Sequence, residues 1–289
     1  MRLDFYKKKI YELAFIEPVA NSKFSDCKWH VHKVVNPYIK EKWFADPFIL
    51  SYDNEKIVIL VEEMDFKINR GRIAKLIIDR NCYTIIDIKI LLDLPTHLSF
   101  PAIERIGEDV YIYPENSASG HLLKYKYNIE TDEMSLVGIM VNEPLTDAIK
   151  RRYNGMEYVF STQMPNPNGN TLYVYKKVND DFVLFQKKVF ADNTARGAGD
   201  WFEEGDRIIR PAQDCNGYYG IGLAFQEVKF DGNMFSFKEI IRIKHPKGYD
   251  GMHTFNKYKD LCIVDYRRPV YPYFYYPCKL IADIIRKVI

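Results

Sequence analysis

Three carboxylates, Asp46, Glu115 and Asp147, recur at related places in a repeated pattern. Asp46 opens Asp46-Pro47-Phe48-Ile49-Leu50, Asp147 opens Asp147-Ala148-Ile149, and Glu115 closes Val110-Tyr111-Ile112-Tyr113-Pro114-Glu115. Two carboxyl groups about a sugar ring apart are what glycosidic-bond chemistry requires: one moves a proton while the other attacks or activates. Cationic and polar groups sit at comparable positions. Arg196 and His253 open the fourth and fifth copies, Glu63, Arg210 and Asp214 fall toward the ends of second strands, and Asn256 follows in His253-Thr254-Phe255-Asn256. Arginine presents a planar fork of donors suited to phosphate or sugar hydroxyls. Asp46, Glu115 and Asp147 are therefore the expected catalytic set, and Glu63, Arg196, Arg210, Asp214, His253 and Asn256 the expected substrate contacts. A structural alternative stands beside each, since Asp before Pro caps turns and strand-end carboxylates bind backbone amides. His30 and His32 share a strand face, but two His without a third ligand make a weak metal site. No metal or cofactor is expected. Neither a glycine-rich phosphate loop leading into a helix nor a Gly-x-Ser-x-Gly elbow is present.

The elements that must position these groups are hairpins. Each copy has a polar or acidic residue, an apolar strand, a turn of Gly, Asn or Asp, and a second alternating strand. The copies begin at Asp46, Phe100, Asp147, Gly197 and His253, about fifty residues apart. Five such units predict an all-β fold, a five-bladed β-propeller, in which first strands gather around one axis. Residues 1–270 are read as this propeller, with 1–40 closing the last blade through Trp29-His30-Val31-His32-Lys33-Val34-Val35. Residues 271–289 form an aromatic and basic tail. There Leu280, Ile281, Ile284, Ile285 and Val288 recur at helical spacing, which predicts a short C-terminal amphipathic helix. It would dock on its own domain or a partner chain, or lie on an anionic membrane face.

Composition narrows the partners. The 289 residues carry a net charge of +2, which argues against nucleic acid. The 22 Tyr and 18 Phe suit strands first, with sugar stacking as a second use. The five Cys are odd in number and not paired at metal or redox spacing, which fits a reducing compartment. Met1–Lys9 lacks a secretory pattern, and no apolar run approaches the ~20 residues that span a bilayer. The expectation is a cytoplasmic protein, peripheral at the inner membrane face if the tail makes contact there.

Trp43-Phe44-Ala45-Asp46-Pro47-Phe48, Glu62-Glu63 with Gly71-Arg72-Ile73-Ala74, and His97-Leu98-Ser99-Phe100-Pro101 look like successive motifs of one family. So do Pro114-Glu115-Asn116-Ser117, Arg196 with Gly199, Arg210-Pro211-Ala212-Gln213-Asp214-Cys215 with Tyr219-Gly220, and His253-Thr254-Phe255-Asn256. Over roughly residues 41–268 the chain resembles the N-terminal domain of the glucosamine inositolphosphorylceramide transferase family. That domain is similar to the five-bladed propellers of arabinanases, levansucrases and family 43 glycosidases. In the plant members the transferase activity is attributed to a separate C-terminal domain, for which this chain has no room. Short bacterial relatives are similar to proteins found among surface-polysaccharide assembly genes. In the glycosidases, blade one supplies a catalytic Asp, blade two an orienting Asp and blade three an acidic Glu. Asp46 matches the first, Phe100 stands at the second place with Glu115 on the next strand, and Asp147 replaces the third.

The resemblance and the residues together imply a carbohydrate-active enzyme of cell-surface polysaccharide or glycolipid assembly, performing glycosyl transfer. Its partner would be a saccharide, a nucleotide-sugar or a lipid-linked glycan. A propeller glycoside hydrolase and a non-catalytic glycan-binding propeller are the alternatives.

Overall fold

Short β-branched and aromatic runs separated by Asn, Asp and Gly must fold as hairpins. Turn residues act through their own side chains. The carboxylate of Asp53 accepts the N–H groups of Glu55 and Lys56 at 2.7 and 2.8 Å, and Asp231 does the same for Asn233 and Met234. The structure is a computed structural model describing residues 9–18, 29–270 and 277. The predicted C-terminal helix lies outside the described residues.

The chain opens with β1 (Lys9–Pro18) and β2 (Trp29–Lys33). Blade one follows as β3 (Lys42–Tyr52), β4 (Lys56–Asp65), β5 (Arg70–Asp79) and β6 (Ile85–Leu92). Blade two is β7 (Ser99–Ile106), β8 (Asp109–Glu115), β9 (Leu122–Asn128) and β10 (Glu133–Val141). Blade three is β11 (Leu145–Tyr153), β12 (Met156–Gln163), β13 (Thr171–Val178) and β14 (Asp181–Val189). Blade four is β15 (Phe202–Glu204), β16 (Arg207–Asp214), β17 (Gly222–Phe230) and β18 (Phe235–Lys244). The fifth sheet joins β19 (Phe255–Tyr258) and β20 (Leu261–Pro269) to β1 and then β2. The result is a five-bladed propeller of four-stranded antiparallel sheets. β1 pairs with β20 from Lys9↔Pro269 to Ile16↔Cys262, so strands from both ends of the described chain share one blade. No helix among the described residues is long and apolar enough to cross a membrane.

The core lies between blades. Tyr158, Phe160, Trp201 and Phe235 interlock where blades three and four meet, with Phe160 edge-on to Phe235 at 4.9 Å and 4.5 Å from Trp201. Each such ring contributes roughly 1.5–3 kcal/mol by leaving water. Much of the aromatic content is therefore packing.

Blades one, two and three share a distortion that sets the site. Two residues of the inner strand oppose one of its neighbour between Ala45 and Phe48, between Ser99 and Ala102, and between Thr146 and Ile149. The first bulged residue is left-handed in each, at φ 50° for Asp46, 45° for Phe100 and 49° for Asp147. A left-handed non-glycine residue costs about 1–3 kcal/mol and persists only where its surroundings enforce it. The bulge breaks the strand's alternation and re-aims the side chain.

Candidate functional site

Each bulge frees a backbone N–H, and a carboxylate from another blade accepts it. Asp46 N–H donates to Asp265 Oδ2 at 3.1 Å, Phe100 N–H to Asp46 Oδ2 at 3.1 Å, and Asp147 N–H to Glu115 Oε2 at 3.2 Å. Register places these carboxylates at the same end of the inner strands, so they gather at one mouth of the central channel.

One half of the mouth is built around Asp46. Its Oδ1 accepts the Thr254 hydroxyl at 2.6 Å, and His253 Nδ1 lies 3.6 Å away. His253 Nδ1 donates to Asp265 Oδ2 at 2.8 Å, and Tyr11 stacks on the imidazole with centroids 4.5 Å apart. Burial pushes the Asp46 carboxyl up to about 7, against the opposing pull of His253. Burial works against a charged His253, yet Asp265 and Asp46 outweigh it and raise its pKa. Burial would likewise raise Asp265, but its hydrogen bonds and the imidazole hold it below its ordinary value.

The other half is built around Arg196. Its Nε donates to Asp147 Oδ2 at 2.6 Å and its Nη2 to Glu115 Oε2 at 3.1 Å, and the guanidinium lies over Tyr219 at 5.0 Å. Gln213 Nε2 adds a 2.7 Å bond to the same Asp147 oxygen. Burial holds Glu115 well above its ordinary value; Arg196 pulls it down and Asp147 pushes it up. Burial disfavours the Arg196 cation, but Asp147 and Glu115 more than compensate and raise its pKa. Among the described residues, Glu115 Oε1 meets only the Ser117 hydroxyl, at 3.4 Å. That oxygen is placed to carry a transferable proton. Asn116, next in the chain, is 2% exposed, and its Oδ1 has no partner among the described residues.

The structure thus brings together Asp46, Glu115, Asp147, Arg196 and His253. It places the other expected substrate contacts in the protein's own scaffold. Glu63 is buried and binds Lys42 at 2.7 Å and Arg72 at 2.9 Å. Arg210 lies mid-strand opposite Gln226, whose side chain it meets at 2.7 Å; it also donates to the Ala195 carbonyl, and burial lowers its pKa to about 9. Asp214 caps the following turn through Asn216 N–H at 3.0 Å. Asn256 ties blades together, accepting Asp200 N–H at 2.7 Å and donating to the Pro47 carbonyl at 2.8 Å. His30 is exposed, and His32 stacks on Tyr83 at 4.7 Å.

The family described as glucosamine inositolphosphorylceramide transferase 1, N-terminal, matches residues 14–259. The chain belongs to this family. Two rice proteins, from Oryza sativa subsp. indica and subsp. japonica, are named glucosamine inositolphosphorylceramide transferase 1. Each is 23% identical over 235 residues, 75% of this chain and 31% of their own length. The chain therefore spans about a third of the curated relatives it matches. Among solved structures it is similar to an α-L-arabinofuranosidase from Lactobacillus brevis, with a TM-score of 0.52 and 13% identity over 75% of this chain and 80% of that one. A family 43 β-1,3-galactosidase solved with galactodeoxynojirimycin gives a TM-score of 0.55 at 8% identity, over 82% and 92% of the two chains. At such identities the likeness shows the propeller fold.

Sequence reasoning did not pick out Asp265, Thr254, Tyr219 or Gln213 as site residues. One signal was available: Asp265 follows the apolar run Leu261-Cys262-Ile263-Val264 of its copy, as Glu115 follows that of blade two. Asp46, His253 and Asp265 also offer ligand atoms within 4.8 Å of one another. Asp265 Oδ1 already accepts the N–H groups of His253 and Thr254 at 3.1 and 2.9 Å, and its Oδ2 accepts Asp46 N–H and His253 Nδ1. Protein donors therefore occupy these oxygens, and a cation would have to displace them.

Proposed function

We propose that the chain is a carbohydrate-active propeller that seats a saccharide over the carboxylate mouth and takes part in glycosyl transfer in polysaccharide or glycolipid assembly. The observation behind this is the split environment of Asp46, Glu115 and Asp147. Burial pushes Glu115 toward its protonated form, and one of its oxygens is lightly bonded. Asp46 is poised near neutrality beside His253, and Asp147 is paired with Arg196. Carboxyl groups whose surroundings push them to different protonation states are suited to divide proton donation from proton acceptance. In this reading Glu115 gives the proton, Asp46 takes one, and Asp147 with Arg196 orients the sugar. The names of the rice relatives support a glycosyl acceptor or donor with a phosphorylated lipid. The work would take place at the cytoplasmic side of the membrane, with a nucleotide-sugar or lipid-linked donor.

A second reading is a saccharide-binding propeller without turnover. It is favoured because Asp46 Oδ2 is held by the Phe100 N–H and Oδ1 by Thr254. One experiment separates the two. Nucleotide-sugars are screened for nucleotide release with glycolipid acceptors, and saccharide binding is measured by calorimetry, for the intact chain and Glu115→Gln. Transfer that falls about 10²-fold or more in Glu115→Gln with binding retained supports catalysis. Binding with no turnover in the intact chain selects the second reading, and turnover unchanged in Glu115→Gln removes Glu115 from the chemistry.

A further inference from the structure

The inner strands lead away from the carboxylate mouth to a second opening. Arg105 stands five residues along β7 from Phe100, and Arg151 four along β11 from Asp147, which at about 3.3 Å per residue places them roughly 13–16 Å from the carboxylates. Four blades and the segment leading into blade four contribute there. Arg105 Nη2 donates to the carbonyls of Ile49 and Leu50 in blade one at 3.0 and 2.8 Å, and its guanidinium lies 4.3 Å from the Tyr258 ring of blade five. Arg151 donates to the Trp201 carbonyl and lies 3.6 Å from Asp200, both between blades three and four. These arginines line a cavity of about 450 Å³ together with Ile103, Tyr113, Lys150 and Arg152.

The charges of this cavity do not balance internally. Lys150 binds Glu104 at 2.6 Å and Glu157 at 2.5 Å, and Lys124 and Lys177 add to the same two carboxylates at 2.8 and 3.4 Å. The lysines thus neutralise both glutamates. Among the described residues Arg152 reaches only the already paired Glu157, at 3.4 Å, with its side chain 71% exposed. Arg105 makes no ion pair among the described residues, and its Nε and Nη1 have no protein acceptor there. Asp200 is the remaining acid; it lies 3.6 Å from Arg151 and is one carboxylate against the three guanidinium groups of Arg105, Arg151 and Arg152. Burial also lowers the pKa of Arg105, so its cation gains from an arriving anion.

We propose that this far mouth is a second ligand site, one that binds the phosphoryl group of a small, sugar-sized molecule between Arg105 and Arg151. Planar guanidinium forks from different blades can meet the several oxygens of a tetrahedral phosphate, which exceeds what one planar carboxylate offers. The cavity is within the size range of small-molecule sites, and Ile103 and Tyr113 give an apolar wall for a sugar face. The site is separate from the carboxylate mouth and does not depend on the function proposed for it.

Calorimetric titration of the full chain with glucose 6-phosphate, inorganic phosphate, malonate and glucose tests this. The expected result is saturable binding of glucose 6-phosphate, weaker binding of phosphate, and none of glucose. Arg105→Ala and Arg151→Ala should each weaken glucose 6-phosphate binding by about tenfold or more, the scale of a lost charge-assisted hydrogen bond. Because Arg105 also holds backbone carbonyls, Arg105→Lys and the exposed Arg152→Ala are measured beside it, with circular dichroism to confirm folding; each should weaken binding by a few-fold. Asp200→Asn should tighten it. Glu115→Gln, at the opposite mouth, should leave it unchanged. No saturable binding to the intact chain would overturn the proposal, as would malonate binding as tightly as phosphate. So would folded arginine variants that bind normally, or a loss in Glu115→Gln equal to theirs.

Discussion

Replacing Arg196 with Met tests whether the mouth is held together by charge or by packing. The side chain is 11% exposed and supplies the cation for Asp147 at 2.6 Å and Glu115 at 3.1 Å. Met keeps most of the aliphatic volume and removes the charge. Removing one partner of a buried ion pair typically costs about 3–5 kcal/mol, because the partner is left charged and desolvated. Burial already pushes Glu115 toward its protonated form, so more of the uncompensated charge falls on Asp147. The loss must then depend on pH. Without Arg196 the folded state binds a proton more tightly than the unfolded chain, whose carboxylates titrate near 4. Relative stability therefore rises as pH falls toward that value. Urea unfolding followed by tryptophan fluorescence should show Arg196→Met destabilised by about 3–5 kcal/mol near pH 8 and by less than half of that near pH 5. Adding Asp147→Asn should recover more stability than adding Glu115→Gln. A loss that is the same at both pH values would refute the electrostatic reasoning. It would assign the role of Arg196 to its packing over Tyr219 at 5.0 Å.

Two further outcomes follow from the same geometry. The Asp46 carboxyl is raised from 3.8 to about 7 by burial. Its stabilising contribution is thus full below its free value and lost as pH rises through 7, by about 1.4 kcal/mol per unit and about 4 kcal/mol in all. Asp46→Asn should flatten that decline, and unfolding curves from pH 4 to 8 that run parallel for the two proteins would contradict the assignment. Gly199 has φ 143°, and a Cβ there would fall 1.9 Å from the Phe255 carbonyl oxygen, backbone that cannot step aside. Gly199→Ala should cost more than about 3 kcal/mol in urea unfolding, and a change below about 1 kcal/mol would show that blades four and five can separate at little cost.

The propeller was legible because a hairpin repeat is a local signal, written in turns and alternation. The equivalence of Asp46, Phe100 and Asp147 was legible for the same reason, and the shared bulge gives it a physical basis. Lys9–Pro18 was not legible as a strand. It is buried on both faces over Leu13–Ile16, so it lacks a two-residue period, and its partner Leu261–Pro269 is distant in sequence. Arg210 shows the opposite failure. Its motif looks like a site, but its register opposite Gln226 puts it inside the sheet, where neighbours consume its donors. Motif membership reports that a residue is needed and does not say for what.

The same ambiguity applies to the carboxylates themselves, and the hydrogen bonds show how to resolve it. Asp265 holds the N–H of Asp46, Asp46 holds that of Phe100, and Glu115 holds that of Asp147. Each acid fixes a strained, left-handed residue of another blade while standing at the mouth itself. An alanine at any of these positions removes the acceptor for a buried N–H, at about 1–3 kcal/mol, together with the carboxyl group. It therefore lowers stability whether or not the group does chemistry. At Asp46 and Glu115, Asn and Gln keep an oxygen for the bulge and remove only the titratable proton; Asp265 accepts donors on both oxygens, so an amide would set its NH₂ against one of them. For Asp46 the amide NH₂ can turn toward the Thr254 hydroxyl; Asp147 holds no bulge N–H, and its amide can keep the oxygen for Arg196 and Gln213 and place the NH₂ at Oδ1, which has no donor among the described residues. In Glu115→Gln the amide takes the place of Oε1 beside Ser117. These substitutions keep the acceptors the scaffold uses, so a loss of transfer confined to them is a statement about chemistry.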